Sequence, residues 1–558
     1  SVSANTPHGV AGGFVGTSRT GGLAEVSDAD AIKGLITDGG GLIQIDNLLN
    51  AVGYLVPNYT NVDVSFINGG SVKADIAGGF AGDFQSGELG NTAEKPWAVY
   101  NIAQVTGGSY AGGFGGKVTS GALAAADGGV SILGGLSSLN IGIEGLLGVL
   151  NAYVPTIVNA GVKSDASTVE ATSGAPLPDQ NNPGLVVEAT SMDAIDSQSG
   201  SAGGYIGYGS GVQVSNCDVT HLRHTGVTEP KKLEGTDGSA YFDGAKSTYA
   251  VKAPRYAGGF MGMMDIGSAA SVGNGLNVLG QTIQLTDIAG ALSVVVSTIE
   301  HSDVNGGAGG FAVLASEAGL TNDNVGGGAA DPGSKDNPVG SAGGFVGEVK
   351  GGHIQDSNSY NFSYVVGQVS AGGYAGTIAP GDVANVLNDN TSILQGLIGT
   401  SGALASLLQD FVPTVRNSKT TCVPCGGAVR AQAASDEFVQ RGMAGGYVGH
   451  NEGGHIWGMN NAPWKEENDT SNHYTGTVEA GTKRRAVAER IRSVYGAEIA
   501  GGYTGLLEPA DTAEAGSLSL LFGLVKAENL LGALEVSYPT QENSEVTGTL
   551  RGISLDSW

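Results

Sequence analysis

The chain has 558 residues, 96 of them glycine and 17 proline, without a Gly-X-Y period, so a collagen triple helix is excluded. Lys plus Arg number 26 against 53 Asp plus Glu; the formal net charge of -27 repels nucleic-acid phosphates and anionic membrane surfaces, which sets nucleic-acid partners aside and leaves Ca²⁺ as the candidate cation. With 41% apolar but only 14% charged residues, the chain can build a core, and its few lysines and many small polar residues suit an extracellular protein, at a cell surface or in a cell wall, better than a cytosolic enzyme. It opens at Ser1 without a charged-then-apolar leader and closes on Gly552 to Trp558 without a sorting motif, as expected of a processed protein or a piece of a longer one.

In chain order, Ala-Gly-Gly followed by an aromatic starts at Ala11, Ala77, Ala111, Ala202, Ala257, Ala308, Ala342, Ala371, Ala444 and Ala500. All copies but the Ala308 one close on a further glycine. The repeated residues are therefore Gly13, Phe14, Gly16; Gly79, Phe80, Gly82; Gly113, Phe114, Gly116; Gly204, Tyr205, Gly207; Gly259, Phe260, Gly262; Gly344, Phe345, Gly347; Gly373, Tyr374, Gly376; Gly446, Tyr447, Gly449; and Gly502, Tyr503, Gly505. A short unit of fixed chemistry recurring at uneven intervals predicts a solenoid, one slot per coil with variable loops between. Read as a strand, the unit places Gly12, Phe14 and Gly16 on one face and Ala11, Gly13 and Val15 on the other. Both faces are apolar, so the rings are expected to stack inside the solenoid, with glycines making room and allowing positive φ, while the opposite face receives other apolar segments. Ten or more coils predict a rod of at least ~50 Å.

The segments between copies are of two kinds that nearly alternate. Five copies precede apolar inserts, Leu42 to Pro57, Ile132 to Val158, Leu276 to Ile299, Val386 to Val415 and Leu518 to Leu534. Ile143, Leu146, Leu147, Leu150 and Val154 recur at three- and four-residue steps, which predicts amphipathic helices. Pro155, interrupting glycines and missing basic flanks argue against a transmembrane span. Other copies precede polar turns, Asp83 to Gly87, Gly207 to Gly211, Lys350 to His353 and Asn451 to His455, leading to short strands such as His455-Ile456-Trp457. Ser164 to Pro183 and Thr321 to Pro338 read as exposed loops, and Lys483 to Arg492 as a basic surface helix. The predicted fold is mainly β, a right-handed parallel β-helix with five apolar helical inserts on its outside: one elongated body of roughly five two-coil modules, approximately 11–110, 111–256, 257–370, 371–499 and 500–558.

Gly13-Phe14-Val15-Gly16, Gly79-Phe80-Ala81-Gly82, Gly204-Tyr205-Ile206-Gly207, Gly344-Phe345-Val346-Gly347 and Gly446-Tyr447-Val448-Gly449 resemble the GLUG motif of bacterial surface and adhesin-like proteins, with an aromatic where leucine is usual. The resemblance implies an exported β-helix-like stalk with a structural or adhesive role and no catalytic residues to carry over.

Candidate chemistry is sparse. Cys422-Val423-Pro424-Cys425 sits between Thr420-Thr421 and Gly426-Gly427, framed as a loop, and is read first as a local disulfide. The only other cysteine is Cys217, too few for a zinc site. His221 and His224 are spaced i, i+3, and Asn388-Asp389-Asn390 and Asn322-Asp323-Asn324 offer oxygen ligands for Ca²⁺, but no spaced calcium loop is present, so no metal site is assigned. No Gly-x-Ser-x-Gly, HExxH or Walker loop occurs. Trp457, Trp464 and Tyr474 lie near Glu466, Glu467 and Asp469, a combination of stacking aromatic and acid suited to glycan contact. The sequence thus predicts a non-catalytic extracellular stalk or adhesin of a bacterium, without cofactor. Its partners would be a surface glycan or protein, or copies of itself. The alternatives are a carbohydrate-active β-helix and a filament subunit.

Overall fold

The structure, a computed structural model, describes residues 1–19, 56–120, 154–164, 184–193, 196–223, 249–267, 295–307, 310–316, 340–381, 411–424, 426–431, 442–458, 486–510, 538–548 and 554–557. These residues form three sheets of 22, nine and nine strands, and the registered strand pairs are parallel. The chain visits the sheets in a fixed cycle. Ser201–Gly203 lies in the long sheet, Ile206–Ser210 in the second, Gln213–Ser215 in the third, and Val219–Thr220 is back in the long sheet, paired with the next pass at each step. Nine strands in each short sheet count nine coils.

The repeated unit is a bend between two strands, which overturns its reading as one continuous strand. In the fourth coil Ser201–Gly203 ends the long sheet, Gly204-Tyr205 turns, and Ile206–Ser210 begins the second sheet. Because the chain turns at the ring, alternation does not carry through, and Ala202, Tyr205 and Ile206 all enter the same core cluster. The two apolar faces need no second layer.

Copy pairs with copy down the axis: Ala11 with Ala77, then Ala111, Ala202, Ala257, Ala342, Ala371, Ala444 and Ala500. The Ala308 copy is left out of this file. Ala308 and Gly309 are outside the described residues, and Phe311 begins a strand of the long sheet that pairs Phe362. Nine rings stack from Phe14 to Tyr503, with centroids 4.8–5.2 Å apart and planes within 19°. The ring-to-ring length is about 40 Å rather than the ~50 Å or more expected from ten coils.

In the nine stacked copies the glycines serve close approach and not left-handed backbone, since none of them has a positive φ; Gly310 of the Ala308 copy, at φ 66°, does. A Cβ on Gly344 would fall well inside contact distance of the Gly373 carbonyl in the next coil, and one on Gly343 would strike the Val346 carbonyl across the bend. Positive φ is used elsewhere. At the turn from the third sheet back to the long one, Asn61, Asn159, Asn216, His301, Asp356, Asn417 and Asn543 hold φ between 48° and 53°, a conformation short polar side chains tolerate.

Behind the rings a second file runs through the long sheet: Val72, Val105, Val187, Val251, Val313, Val365, Val429 and Val494, in register and at most 1% exposed. Each buried valine is worth about 1.5–3 kcal/mol. The hydroxyls of Tyr205, Tyr374 and Tyr447 donate to the carbonyls of Ala160, Ser357 and Ser418 at 2.9 Å, so the phenols enter the core satisfied.

Other expectations are corrected. Asp83 to Gln85 and Gly207 to Ser210, read as turns, belong to strands Ala81–Gln85 and Ile206–Ser210, because Phe84 and Ile206 are drawn into the core. The expected basic helix is instead the strand Ala486–Gly496 over its described part, its Ala488, Ile491 and Val494 filling core slots. The predicted helical inserts extend too far: Thr156–Val158, Thr298–Glu300 and Thr414–Arg416 are strands of the third sheet, their central Ile157, Ile299 and Val415 being inner slots. The inserts themselves, and the predicted loops beyond Ser164, lie outside the described residues.

Candidate functional site

The corner between the second and third sheets is where coils differ. Coils two, four, six and eight cross it in two residues, as from Ile206–Ser210 to Gln213–Ser215 or from Val346–Lys350 to His353–Gln355. Coils one, three, five, seven and nine leave after Arg19, Thr119, Asp265, Ala379 and Glu508 and re-enter at Asn58, Thr156, Thr298, Thr414 and Thr540. With the Ala308 copy removed, alternation is complete, and all five apolar inserts leave from one edge. Their roots are ordered: Gly267 N donates to Val295 O at 2.7 Å, Gly381 N donates to Phe411 O at 3.2 Å, and Val154, Val296, Phe411 and Val412 are buried. Gly211, at φ 61°, is wedged between Ser120 and Gly267, so neighbouring roots meet through the tight turn between them.

A second feature is the outer groove of the bend, where the residue before each repeat faces the third residue of the second sheet. Lys117 lies over the rings of Tyr110 and Tyr208, at 5.0 and 5.8 Å. Tyr110 donates to Asp196 at 2.5 Å, and further along Ser341 and Ser370 bond Thr377. Burial pushes the carboxyl of Asp83 up, against the hydrogen bond from Gln85 and the charge of Lys117. Among the described residues Asp83 Oδ1 lacks a hydrogen-bond partner. Burial pushes Glu348 up to about 7 against the charge of Lys350, with smaller upward pushes from the charges of Asp265 and Glu452.

The third sheet has strands whose central residue is buried and whose flanking residues are half-buried on its outer side. Arg416 stacks on Trp457 at 4.4 Å, which occupies one ring face of the predicted glycan contact, and His455 lies 6.1 Å from the same ring. His353 Nδ1 is 2.9 Å from Thr414 Oγ1, and burial followed by the Arg416 charge lowers its pKa to about 4. Trp464, Tyr474, Glu466, Glu467 and Asp469 lie outside the described residues, as do His224 and both Asn-Asp-Asn runs. His221, at φ 67°, lies between strand Val219–Thr220 and the bridge residue Leu222, its backbone bonded to Asn305 and Leu185 of the neighbouring coils.

Cys422 is buried at the end of strand Lys419–Cys422, while Cys425 falls outside the described residues, so their pairing is not described. Cys217 is a buried thiol in the small-residue slot beside Tyr205, its pKa raised to about 12 by burial. The same slot holds Ser302, Ser357 and Ser418, whose hydroxyls accept from the backbone N of Cys217, Ser302 and Ser357. This polar file and the valine file were missed by sequence reasoning. Their signal, one small or branched residue per coil, becomes visible only once register is known.

No family model matches the chain, and no curated protein or solved structure matches it. Among the described residues no group of three or more His, Cys, Asp or Glu side chains is placed to hold a metal, and no helix is long and apolar enough to cross a membrane.

Proposed function

We infer that the protein is a non-catalytic structural spacer of the bacterial exterior: a right-handed parallel β-helix that carries its apolar inserts as a ridge along one edge. The single observation behind this reading is the unbroken file of nine stacked rings, Phe14 to Tyr503, which makes all coils one stiff column. Parallel strands joined by crossovers are right-handed in nearly all folds, which supports the hand. The GLUG-like repeat and the acidic, lysine-poor composition support export.

The alternation supports helical inserts. One coil rises about 4.9 Å, too little for an α-helix, whereas two coils rise about 10 Å, close to the 8–10 Å between packed helices. An insert in every second coil is the densest row that a helix can join, and the apolar faces of neighbours would then meet. Small-angle scattering with negative-stain images of the isolated chain tests the reading. A single column about 40 Å long with one ridged side is expected; ring segments spread among separate globules would overturn it.

A further inference from the structure

Exposed large hydrophobic residues among those described are four: Val2 at 36%, Phe14 at 47%, Leu507 at 47% and Tyr538 at 55%. All four sit in the first or the ninth coil. Phe14 has one face on Phe80, at 4.9 Å, and Tyr503 has one face on Tyr447, at 4.8 Å; among the described residues no ring stacks on the other face of either. Among the described residues, the strands Val10–Gly12 and Val15–Arg19 at one end, and Ile499–Gly501 and Thr504–Glu508 at the other, each pair on one side only. Unpaired parallel edges flanking an exposed apolar ring are a template for further strands.

The two ends also fit each other. Continuing the register of the second sheet from the ninth coil of one molecule into the first coil of another sets Thr504 on Val15, Leu507 on Ser18 and Glu508 on Arg19. In the long sheet Ala500 falls on Ala11, which brings Tyr503 over Phe14. The charges at the junction are opposite in the second sheet, where Glu508 falls on Arg19, and like in the long sheet, where Glu545 falls beside Asp63 of the incoming copy, so the Glu508–Arg19 pair carries the complementarity.

We propose that copies of this chain stack end to end, the ninth coil of one on the first coil of the next, continuing the ring file across the junction. The contact joins two different surfaces and does not close, so it builds a filament. One strand must yield. Ser554–Ser557 already follows Ala486–Gly496 in the long-sheet slot that Val2–Ser3 of an incoming copy would take, and Val2–Ser3 is held by two residue pairs alone. Docking therefore displaces Val2–Ser3.

The proposal rests on the column reading above, and its test is separable from that one. Sedimentation velocity of the full chain across a range of concentrations, with negative-stain images of the same samples, reads the assembly. Expected are linear particles lengthening by about 44 Å per copy, weakened at least tenfold by Arg19→Glu or by Glu508→Arg, and restored when Arg19→Glu chains are mixed with Glu508→Arg chains. Removal of residues 1–3 is expected to tighten assembly. Monomers at every concentration, or association that ignores both charge reversals while side-by-side particles appear, would overturn end-to-end stacking and leave the column intact. Unchanged circular-dichroism melts keep misfolding of a variant apart from loss of docking.

Discussion

Two corners of each coil follow opposite rules. At the ring bend, all nine coils keep Ala-Gly-Gly, a Phe or Tyr ring, one variable residue and a closing glycine, and none carries an insertion. At the next corner, between the second and third sheets, a two-residue turn alternates with a long insert. The difference lies in what the backbone touches. The bend packs carbonyls against the glycine Cα atoms of the next coil and of its own return strand, so no atom can be added. At the second corner the chain departs and returns through paired roots, Gly267 N donating to Val295 O and Gly381 N donating to Phe411 O.

The largest test of this contrast puts one substitution in two places. Gly344→Val drives a branched side chain into the Gly373 carbonyl and separates coils six and seven, so it should cost more than about 4 kcal/mol or prevent folding. Gly90→Val, where an added Cβ meets nothing within 4 Å, should stay within about 1 kcal/mol. Urea unfolding followed by fluorescence measures both. Equal losses would mean that the bend is not special.

Next in size is the ring file. Phe345 is fully buried between Phe260 and Tyr374, at 4.9 and 5.0 Å, so Phe345→Ala should cost about 3–5 kcal/mol. Phe14→Ala at the open end should cost less than about 1.5 kcal/mol, because half its surface is already in water. A comparable loss at both sites would deny the rings their role as a core.

The outer groove of the bend adds a pH-dependent effect. Glu348 has its folded pKa raised from 4.5 to about 7, so the folded state holds a proton that the unfolded chain releases. Its contribution is full below pH 4.5 and is lost as pH rises toward 7 and above, by up to about 3 kcal/mol. His353 runs the other way: its pKa is lowered from 6.5 to about 4, so its contribution is present above 6.5 and lost as pH falls through 4. Glu348→Gln should flatten the decline in stability between pH 5 and 8, as measured by denaturant midpoints at each pH. An unchanged slope would show that the carboxyl is hydrated in both states.

Much of the column was legible in the sequence because one slot repeats with chemistry that admits no substitute. The glycines and rings of the bend announced stacked coils, and Trp457 and His455 announced a short strand. What stayed hidden depends on register. Ala308 carries the same tetrapeptide yet belongs elsewhere, since sequence identity cannot say which strands are neighbours. The bend resembles a strand in sequence because Ala202, Tyr205 and Ile206 are equally apolar whichever way the chain turns. The charges of Lys483 to Arg492 suggest a helix, while the deciding residues, Ala488 and Ile491, are core slots of the long sheet. The candidate surfaces were least legible, because Lys117 meets Tyr110 and Tyr208 only through coil-on-coil pairing.

The smallest expected effect sharpens the contrast from the other side. Replacing residues 382–410 by a Gly-Gly pair would join the roots of coil seven, Gly381 and Phe411, through a short loop in place of the long insert. Closing a shorter loop costs less entropy, by about 0.6 kcal/mol per halving. The net change in stability should stay within about 1 kcal/mol, with the ring file intact by near-ultraviolet circular dichroism. A Gly-Gly pair inserted between Gly344 and Phe345 should instead unfold the protein. If excision at the second corner were as damaging as insertion at the bend, the inserts would be part of the core, and the alternation of coils would be a folding requirement rather than a row of sites where a helix has room to sit.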